Sequence, residues 1–454
     1  MIKMAEWGAI TMFDNEIMMQ GERLKKIRQI ILGATQEEIS AGVCTRTMIC
    51  LIENNKQKLS YNLAYRIAEN LNRIAKEKGM DLSLLTPKEL MIDEDEQANY
   101  VFQNNILNEL HKIEINSIEI NFLEKKIIEA EKLIEKYNIT DDKKIDFYKL
   151  SADLYYYKHS YSKSDQMCDL GLKISINSQN SFEEVNFYIY KSRNNIFTEN
   201  YARALQQLDY AEKLNNSIVN DDLSVMILHF RGLTYKKLGE YDSALKYFEI
   251  LKQFEIKDYK MLLKVKMVYA NCFNDYHKFD EAEKEYKETL NIAMNYDDKG
   301  FISMTYRNLS ELYFNKKDYK TAAMYIKESL IYSLNSEYLN EILYLAAKVL
   351  IYVNEDVETY LLQALELCEK NDKENLSLIE QVIYELVLIY IKKEDKENLM
   401  LMADKAKELN IDYSLIYSEI GEYYRGRNEE KSKYFSRKSR EKMKQIKKIF
   451  HYIF

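Results

Sequence analysis

The sequence predicts an all-α protein, with a small five-helix head at residues 21–92 followed over 93–454 by an array of about nine helix pairs. Two observations carry this. Only 11 Gly and one Pro, Pro87, occur among 454 residues, too few turn-forming residues for an all-β or doubly wound fold. An aromatic residue also recurs at a nearly fixed interval through the middle of the chain, and that is the mark of a repeat architecture. Residues 1–20 precede the first strong helical pattern and are read as a leader without assigned function; Met12, Met18 and Met19 leave room for a later translation start.

The first helix, residues 22–32, places Leu24, Ile27 and Ile31 on one face, with Lys25, Lys26 and Arg28 expected outside it. Gly33 stops it. Thr35 and Glu38 form a capping box for a short helix that ends at Gly42. A second short helix starts near Thr45, turning Ile49 and Ile52 inward while Arg46 and Thr47 project from its first turn. Two short helices about a glycine-containing turn are a helix-turn-helix candidate. A further helix from Ser60 buries Leu63, Ile67, Leu71 and Ile74, and Leu82 to Leu90 closes the bundle.

Three blocks, Thr35 to Ile39, Thr45 to Asn55 and Ser60 to Leu71, fall in the order in which the Xre/Cro-like DNA-binding family carries TQEEL, SxxTISRIENG and an AxxL-type helix. The head resembles that family. Asn55 stands where the family has Gly, and Leu51 where it has a polar residue. The resemblance implies a helix amino terminus in the major groove of promoter DNA. There Arg46 donates two hydrogen bonds to a guanine edge, and Thr47 offers a hydroxyl and a methyl to a neighbouring base. Gln36 and Asn54 occupy family positions that touch the sugar-phosphate, and with Thr45, Lys56 and Lys58 they complete the expected DNA-binding set. The bland alternative for Arg46 is a solvated helix face. Cys44 and Cys50 have no third or fourth ligand nearby, so no metal site is expected.

In the body, Gly232, Tyr235, Gly239, Tyr241, Ala244 and Phe248 give the helix-pair signature of the tetratricopeptide repeat (TPR). Its turn aromatic recurs at Tyr161, Tyr201, Tyr241, Phe279 and Tyr319, at intervals of 40, 40, 38 and 40 residues, and Ala204, Ala244, Ala282 and Ala322 follow the last four by three positions. Weaker pairs are read around Phe122, Val357, Lys396 and Glu430. The intervals exceed the roughly 34 residues of the short repeat, so longer helices are expected. Stacking would build a right-handed superhelix with a concave surface. Most of the 38 Tyr and 17 Phe read as packing residues, and the basic stretch 431–448, nine Lys/Arg against Glu441, as a polar cap that could also meet DNA or an acidic partner.

In such arrays the first helix of each pair lines the groove. Offsets ahead of each turn aromatic select Asn186, Arg193, His229, Lys264, Asn271, Asn274, Arg307, Asn308 and Glu311 as candidate peptide contacts. Asn both donates to and accepts from an extended backbone, and Arg or Lys holds a carboxylate. An Xre-like head on a long, degenerate TPR array resembles the RRNPP group of Gram-positive peptide-pheromone receptors, which includes the Rap, Rgg, NprR, PlcR and PrgX proteins and the phage arbitrium receptors. That resemblance implies a cytoplasmic, homodimeric transcription regulator switched by a short imported peptide, with no cofactor.

Charge and composition agree with a regulator. Residues 21–80 carry a net +5, 1–20 carry −2, and the remainder −11, so a basic head precedes an acidic body. The longest apolar runs are six residues, far below the roughly 20 that span a bilayer, and the amino terminus lacks the layout of a secretion signal. Five cysteines without a Cys-x-x-Cys pair suit a reducing, cytoplasmic interior. Five histidines without His-x3-His spacing and no Walker or Gly-x-Gly-x-x-Gly loop leave no catalytic site to nominate. Two other readings remain: modulation of a phosphorelay response regulator, as some members of the group perform, and a protein scaffold.

Overall fold

A computed structural model describes residues 16–80, 85–113, 120–333, 338–370, 376–409 and 411–453. Among them there is no strand, and no helix is long and apolar enough to cross a membrane. The chain divides into two compact units, Met1–Thr234 and Tyr235–Phe454.

The first unit opens with five helices, α1 (Gln20–Lys26), α2 (Gln36–Ser40), α3 (Arg46–Glu53), α4 (Tyr61–Glu77) and α5 (Pro87–Met91). They close around Leu24, Ile27, Ile39, Ile49, Ile52, Ile67 and Leu71, all essentially without solvent exposure. Residues 82–84, the start of the expected closing helix, lie outside the described residues. Thr35 and Glu38 form the expected capping box, the hydroxyl accepting from Glu38 N at 3.2 Å. Asn55 adopts φ +57°, a left-handed conformation that Asn tolerates better than most residues with a Cβ, which explains how it replaces a glycine. Its side-chain oxygen accepts from Gly21 N at 3.0 Å, and a Cβ on Gly21 would overlap the Ile52 carbonyl. So α1 lies directly on the end of α3.

Arg28 departs from its expected outward position. It stands one turn after Leu24, on the buried face, and is only 6% exposed. Burial is possible because Glu53 faces it, Nε to Oε1 at 2.6 Å and Nη2 to Oε2 at 2.9 Å, while Nη1 donates to the Ala34 carbonyl at 2.9 Å. A π-helical segment, Ile27–Ile31, also shifts the register. Ile31 is therefore half-buried and Leu32 takes the core position.

The rest of the first unit holds α6 (Glu94–Phe102), α7 (Asn108–His111), α8 (Ile120–Lys136), α9 (Asp141–Tyr157), α10 (Tyr161–Asn177), α11 (Ser181–Phe197), α12 (Tyr201–Ile218) and most of α13 (Asp221–Lys237). The second unit holds α14 (Tyr241–Leu251), α15 (Tyr259–Asp275), α16 (Phe279–Asn295), α17 (Lys299–Asn315), α18 (Tyr319–Tyr332), α19 (Leu339–Leu350), α20 (Glu358–Lys370), α21 (Leu376–Lys393), α22 (Lys396–Glu408), α23 (Ser414–Tyr423) and α24 (Glu429–Ile453). From α6 onward the described helices succeed one another as nine pairs, counting α6 and α7 as one. Each turn aromatic is the first residue of a second helix, α10, α12, α14, α16 or α18, and each following alanine is fully buried. Many of these helices run 17 residues, in line with the long interval.

The turns show how a glycine-poor chain makes such corners. Two positions before each aromatic stands a residue with positive φ: His159, Glu199, Gly239, His277 and Lys317. Only one is glycine. Val219, the cap of α12 at φ +57° and 79% exposed, is the most strained, because a β-branched side chain fits that region poorly. Val219→Gly should therefore raise stability by about 1 kcal/mol, the relief of left-handed strain less the added freedom of the unfolded chain. Denaturant unfolding with an unaltered or lowered midpoint would refute it.

Candidate functional site

The outward face of α3 is built from its cap. The Thr45 hydroxyl accepts from Met48 N at 3.2 Å, which fixes the first turn and leaves Arg46 and Thr47 exposed. Arg46 is ion-paired with Glu37 at 2.9 Å, each side chain about two-thirds exposed. Gln36 is half-buried, its amide donating to Glu53 Oε2 at 2.7 Å, so the buried Arg28–Glu53 pair also orients this residue. Asn54 is exposed but turned back, donating to the Cys50 carbonyl at 2.7 Å. Lys56 and Lys58 are exposed on the loop that follows, and Lys56 N donates to the Leu51 carbonyl at 2.9 Å. The structure thus gathers all seven sequence-selected residues of the head along α2, α3 and one loop.

Met18, just ahead of the head, is joined to the first repeat by direct hydrogen bonds. Gln97 on α6 brackets Met18, accepting from its N–H at 3.2 Å and donating to its carbonyl at 2.7 Å. Arg23 donates to the Glu89 carbonyl at 3.0 Å, and burial lowers its pKa to about 10 despite Glu96 and Asp93 nearby. A cavity of about 730 Å³ opens there, lined by Arg23, Asp93, Glu96, Gln97, Asn99 and Lys143 among others.

In the first unit, the candidate contacts on α11 are occupied from within. Arg193 is 9% exposed and donates from Nη1 to Asp153 at 2.8 Å. Its guanidinium lies 3.7 Å from the centre of the Tyr156 ring and 4.5 Å from that of Tyr190, whose hydroxyl donates to the other Asp153 oxygen at 3.1 Å. Burial opposes the charge of Arg193, but Asp153 and the two tyrosines outweigh it and raise its pKa. A ligand carboxylate would have to compete with Asp153. Asn186, 8% exposed, donates to Glu183 at 3.2 Å, and His229, 6% exposed, packs edge-on against Phe230.

In the second unit, Asn271 and Asn308 form a chain. Asn308 donates to Asn271 Oδ1 at 3.0 Å, and the same oxygen accepts from the buried Tyr286 hydroxyl at 2.6 Å. Arg307 donates to Glu341 at 3.1 Å. Asn274 is buried, while Lys264 and Glu311 are exposed. Of the nine candidates, Asn186, Arg193, His229 and Asn274 are buried, Asn271, Arg307 and Asn308 half-buried, and Lys264 and Glu311 exposed, while Arg193, Asn271, Arg307 and Asn308 bond to a neighbouring helix. Among the described residues no cluster of His, Cys, Asp or Glu could hold a metal ion. Burial pushes the Cys168 thiol up to about 12 and Cys272 to about 11, so neither is a thiolate near neutrality.

Comparison with known proteins finds likenesses over parts of the chain. It is 26% identical over 238 residues to the regulatory protein RapK of Bacillus subtilis (strain 168). The proteins that it resembles include Rap and NprR proteins, members of the RRNPP group. The match takes in 50% of this chain and 60% of RapK, so the chain spans somewhat over half the length of that relative. Residues 231–414 match the family profile described as the suppressor of spindle checkpoint defect 1 C-terminal domain. Among solved structures, a Rap protein complexed with competence and sporulation factor aligns at TM-score 0.46 and 15% identity, over 76% of this chain and 98% of the other. The apo form of the quorum sensor NprR from B. thuringiensis aligns at TM-score 0.45 and 16% identity, over 75% and 98%.

Sequence offsets alone missed the partners that the array sets around its candidates. Asp153 precedes Arg193 by a full repeat interval of 40 residues, and Asn271 and Asn308 are 37 apart. Asp153 and Arg193 hold equivalent positions in adjacent first helices, eight residues ahead of Tyr161 and Tyr201, whereas Asn271 and Asn308 stand eight and eleven ahead of Phe279 and Tyr319. That register was the available signal.

Proposed function

We propose that the chain is a cytoplasmic, peptide-switched transcription regulator, acting as a homodimer without cofactor or catalysis. In this reading residues 21–92 bind promoter DNA through α3, and residues 93–454 take a short signalling peptide. The supporting observation is the capped α3, with exposed Arg46 and Thr47 on its first turn and the basic Lys56–Lys58 loop folded against its end. The ion pair of Arg46 with Glu37 is solvent-exposed and so contributes little. Exchange of Glu37 for a guanine O6 and N7 is then inexpensive, and hydrogen bonds to two acceptors return more. Gln36, held by Glu53, sets the helix at a fixed height over the backbone.

Switching requires that the peptide bind one conformation of the array more tightly than another, since only that difference moves the equilibrium. Paired groups such as Asn271 with Asn308 suit this, because a peptide backbone can replace one hydrogen bond of the chain and shift a neighbouring helix.

On DNA from upstream of the chain's own gene, Arg46→Ala should lose about 1–3 kcal/mol of binding, roughly five- to 150-fold, with a relaxed base preference. Equal affinity of the two proteins would end the readout. With a synthetic peptide from a small secreted reading frame beside the gene, Asn308→Ala should weaken binding by about 1 kcal/mol. An unchanged titration removes Asn308 from the site.

A second reading is modulation of a phosphorelay response regulator, the role that some members of the resembled group perform. A phosphorylated response regulator that loses its phosphoryl group faster in the presence of the full chain would select that reading.

A further inference from the structure

We infer that Leu51 reads a thymine methyl group in the major groove. The inference rests on the DNA-binding reading above and names one base that the head selects. On α3, Ile49, Ile52 and Glu53 are buried, whereas Leu51 is 37% exposed and does not join the core of the head. It lies one turn beyond the exposed Thr47 and nearly in line with it, at one edge of the exposed arc whose other edge is Arg46, so α3 presents an apolar side chain beside its polar surface.

The surroundings of Leu51 fit a duplex. Its carbonyl accepts from Lys56 N at 2.9 Å and Gln57 N at 3.3 Å, which folds the loop bearing exposed Lys56 and Lys58 against the same turn. The loop that carries these two lysines thus folds against the turn that bears Leu51, and residues 21–80 have a net charge of +5, complementary to phosphates flanking a groove. Glu37 is paired with Arg46, five residues ahead of Leu51 on α3. Leucine has no donor or acceptor and cannot read a base edge by hydrogen bonding. The thymine C5-methyl is the apolar group that the major groove displays. Unlike Arg46, Leu51 has no ion pair to exchange, so its contact forms without rearrangement of the head.

The test uses the full chain. A pool of randomised DNA duplexes is taken through rounds of binding, and the enriched site is then remade with each thymine in turn replaced by deoxyuridine, which removes only the methyl. At one or more thymines, deoxyuridine should weaken the wild type about fourfold, the effect of one buried methyl. Leu51→Gln, a substitution at an exposed position, should bind thymine and uracil there equally and enrich a different base. A selected site indifferent to every replacement, or Leu51→Gln with the wild-type response, overturns the inference while the DNA-binding reading stands. No enriched sequence, with all duplexes bound alike, overturns both and leaves the Leu51 face to a protein partner. Circular dichroism and thermal unfolding of Leu51→Gln confirm that the comparison is made between folded proteins.

Discussion

Glu53→Ala should destabilise the head by about 3–5 kcal/mol, the cost of leaving Arg28 charged and buried without its partner. The carboxylate is 3% exposed and receives Arg28 on both oxygens and Gln36 on one, so a single truncation strands three hydrogen-bonding groups. If the loss arises from the isolated charge and not from packing, Glu53→Leu combined with Arg28→Met should return most of the stability, since an apolar pair of similar volume can replace a buried ion pair. Hydrogen exchange of the α3 amides would resolve the effect within the head. A loss below about 1 kcal/mol, or a double variant as weak as the single one, contradicts this account. The double variant should still bind DNA less well than wild type, because Gln36 is no longer fixed in place.

Asp153→Ala should have a comparable effect in the first repeats, about 3–5 kcal/mol. Arg193 would keep its two aromatic neighbours, Tyr156 and Tyr190, but lose its counter-charge, and the Tyr190 hydroxyl would lose its acceptor. The sign with Asn is informative. Asp153→Asn preserves shape and one acceptor while removing the charge, so it should fall between wild type and Ala if the Coulombic part dominates. Denaturant unfolding of the full chain checks the order; Asn as stable as wild type would assign the site to hydrogen bonding alone. The same pair bears on ligand capture. A peptide carboxylate that binds Arg193 must displace Asp153, so Asp153→Ala should either free the arginine for the peptide or collapse the site, and peptide titration separates these.

Most of the fold was legible because it is written in local signals. Thr35 with Glu38 gave the start of α2, and the recurring aromatics and alanines located the second helix of five successive pairs, since capping and packing at these positions depend on residues within a turn or two. The candidate site was legible in position but not in state. Arg28 looked like a solvated cation until Glu53, 25 residues away, supplied its partner, and no helical period reports a partner that distant. Arg193 likewise read as a ligand-facing cation, whereas the fold places it between two rings and against Asp153. Left-handed turns were the other illegible feature, because Glu199, Lys317 and Val219 carry no sequence mark for positive φ. Those corners are imposed by the packing of the helices on either side.

Within each unit the helices touch chiefly those next to them in the chain, as α9 with α10 and α11, or α16 with α15 and α17. Contacts that close over such short loops form rapidly and need little of the chain to be present. A nascent polypeptide can therefore begin compacting while its carboxyl-terminal half is still being translated. The emerging segments would shelter their apolar stripes in succession, limiting the exposure of sticky intermediates to chaperones and to aggregation.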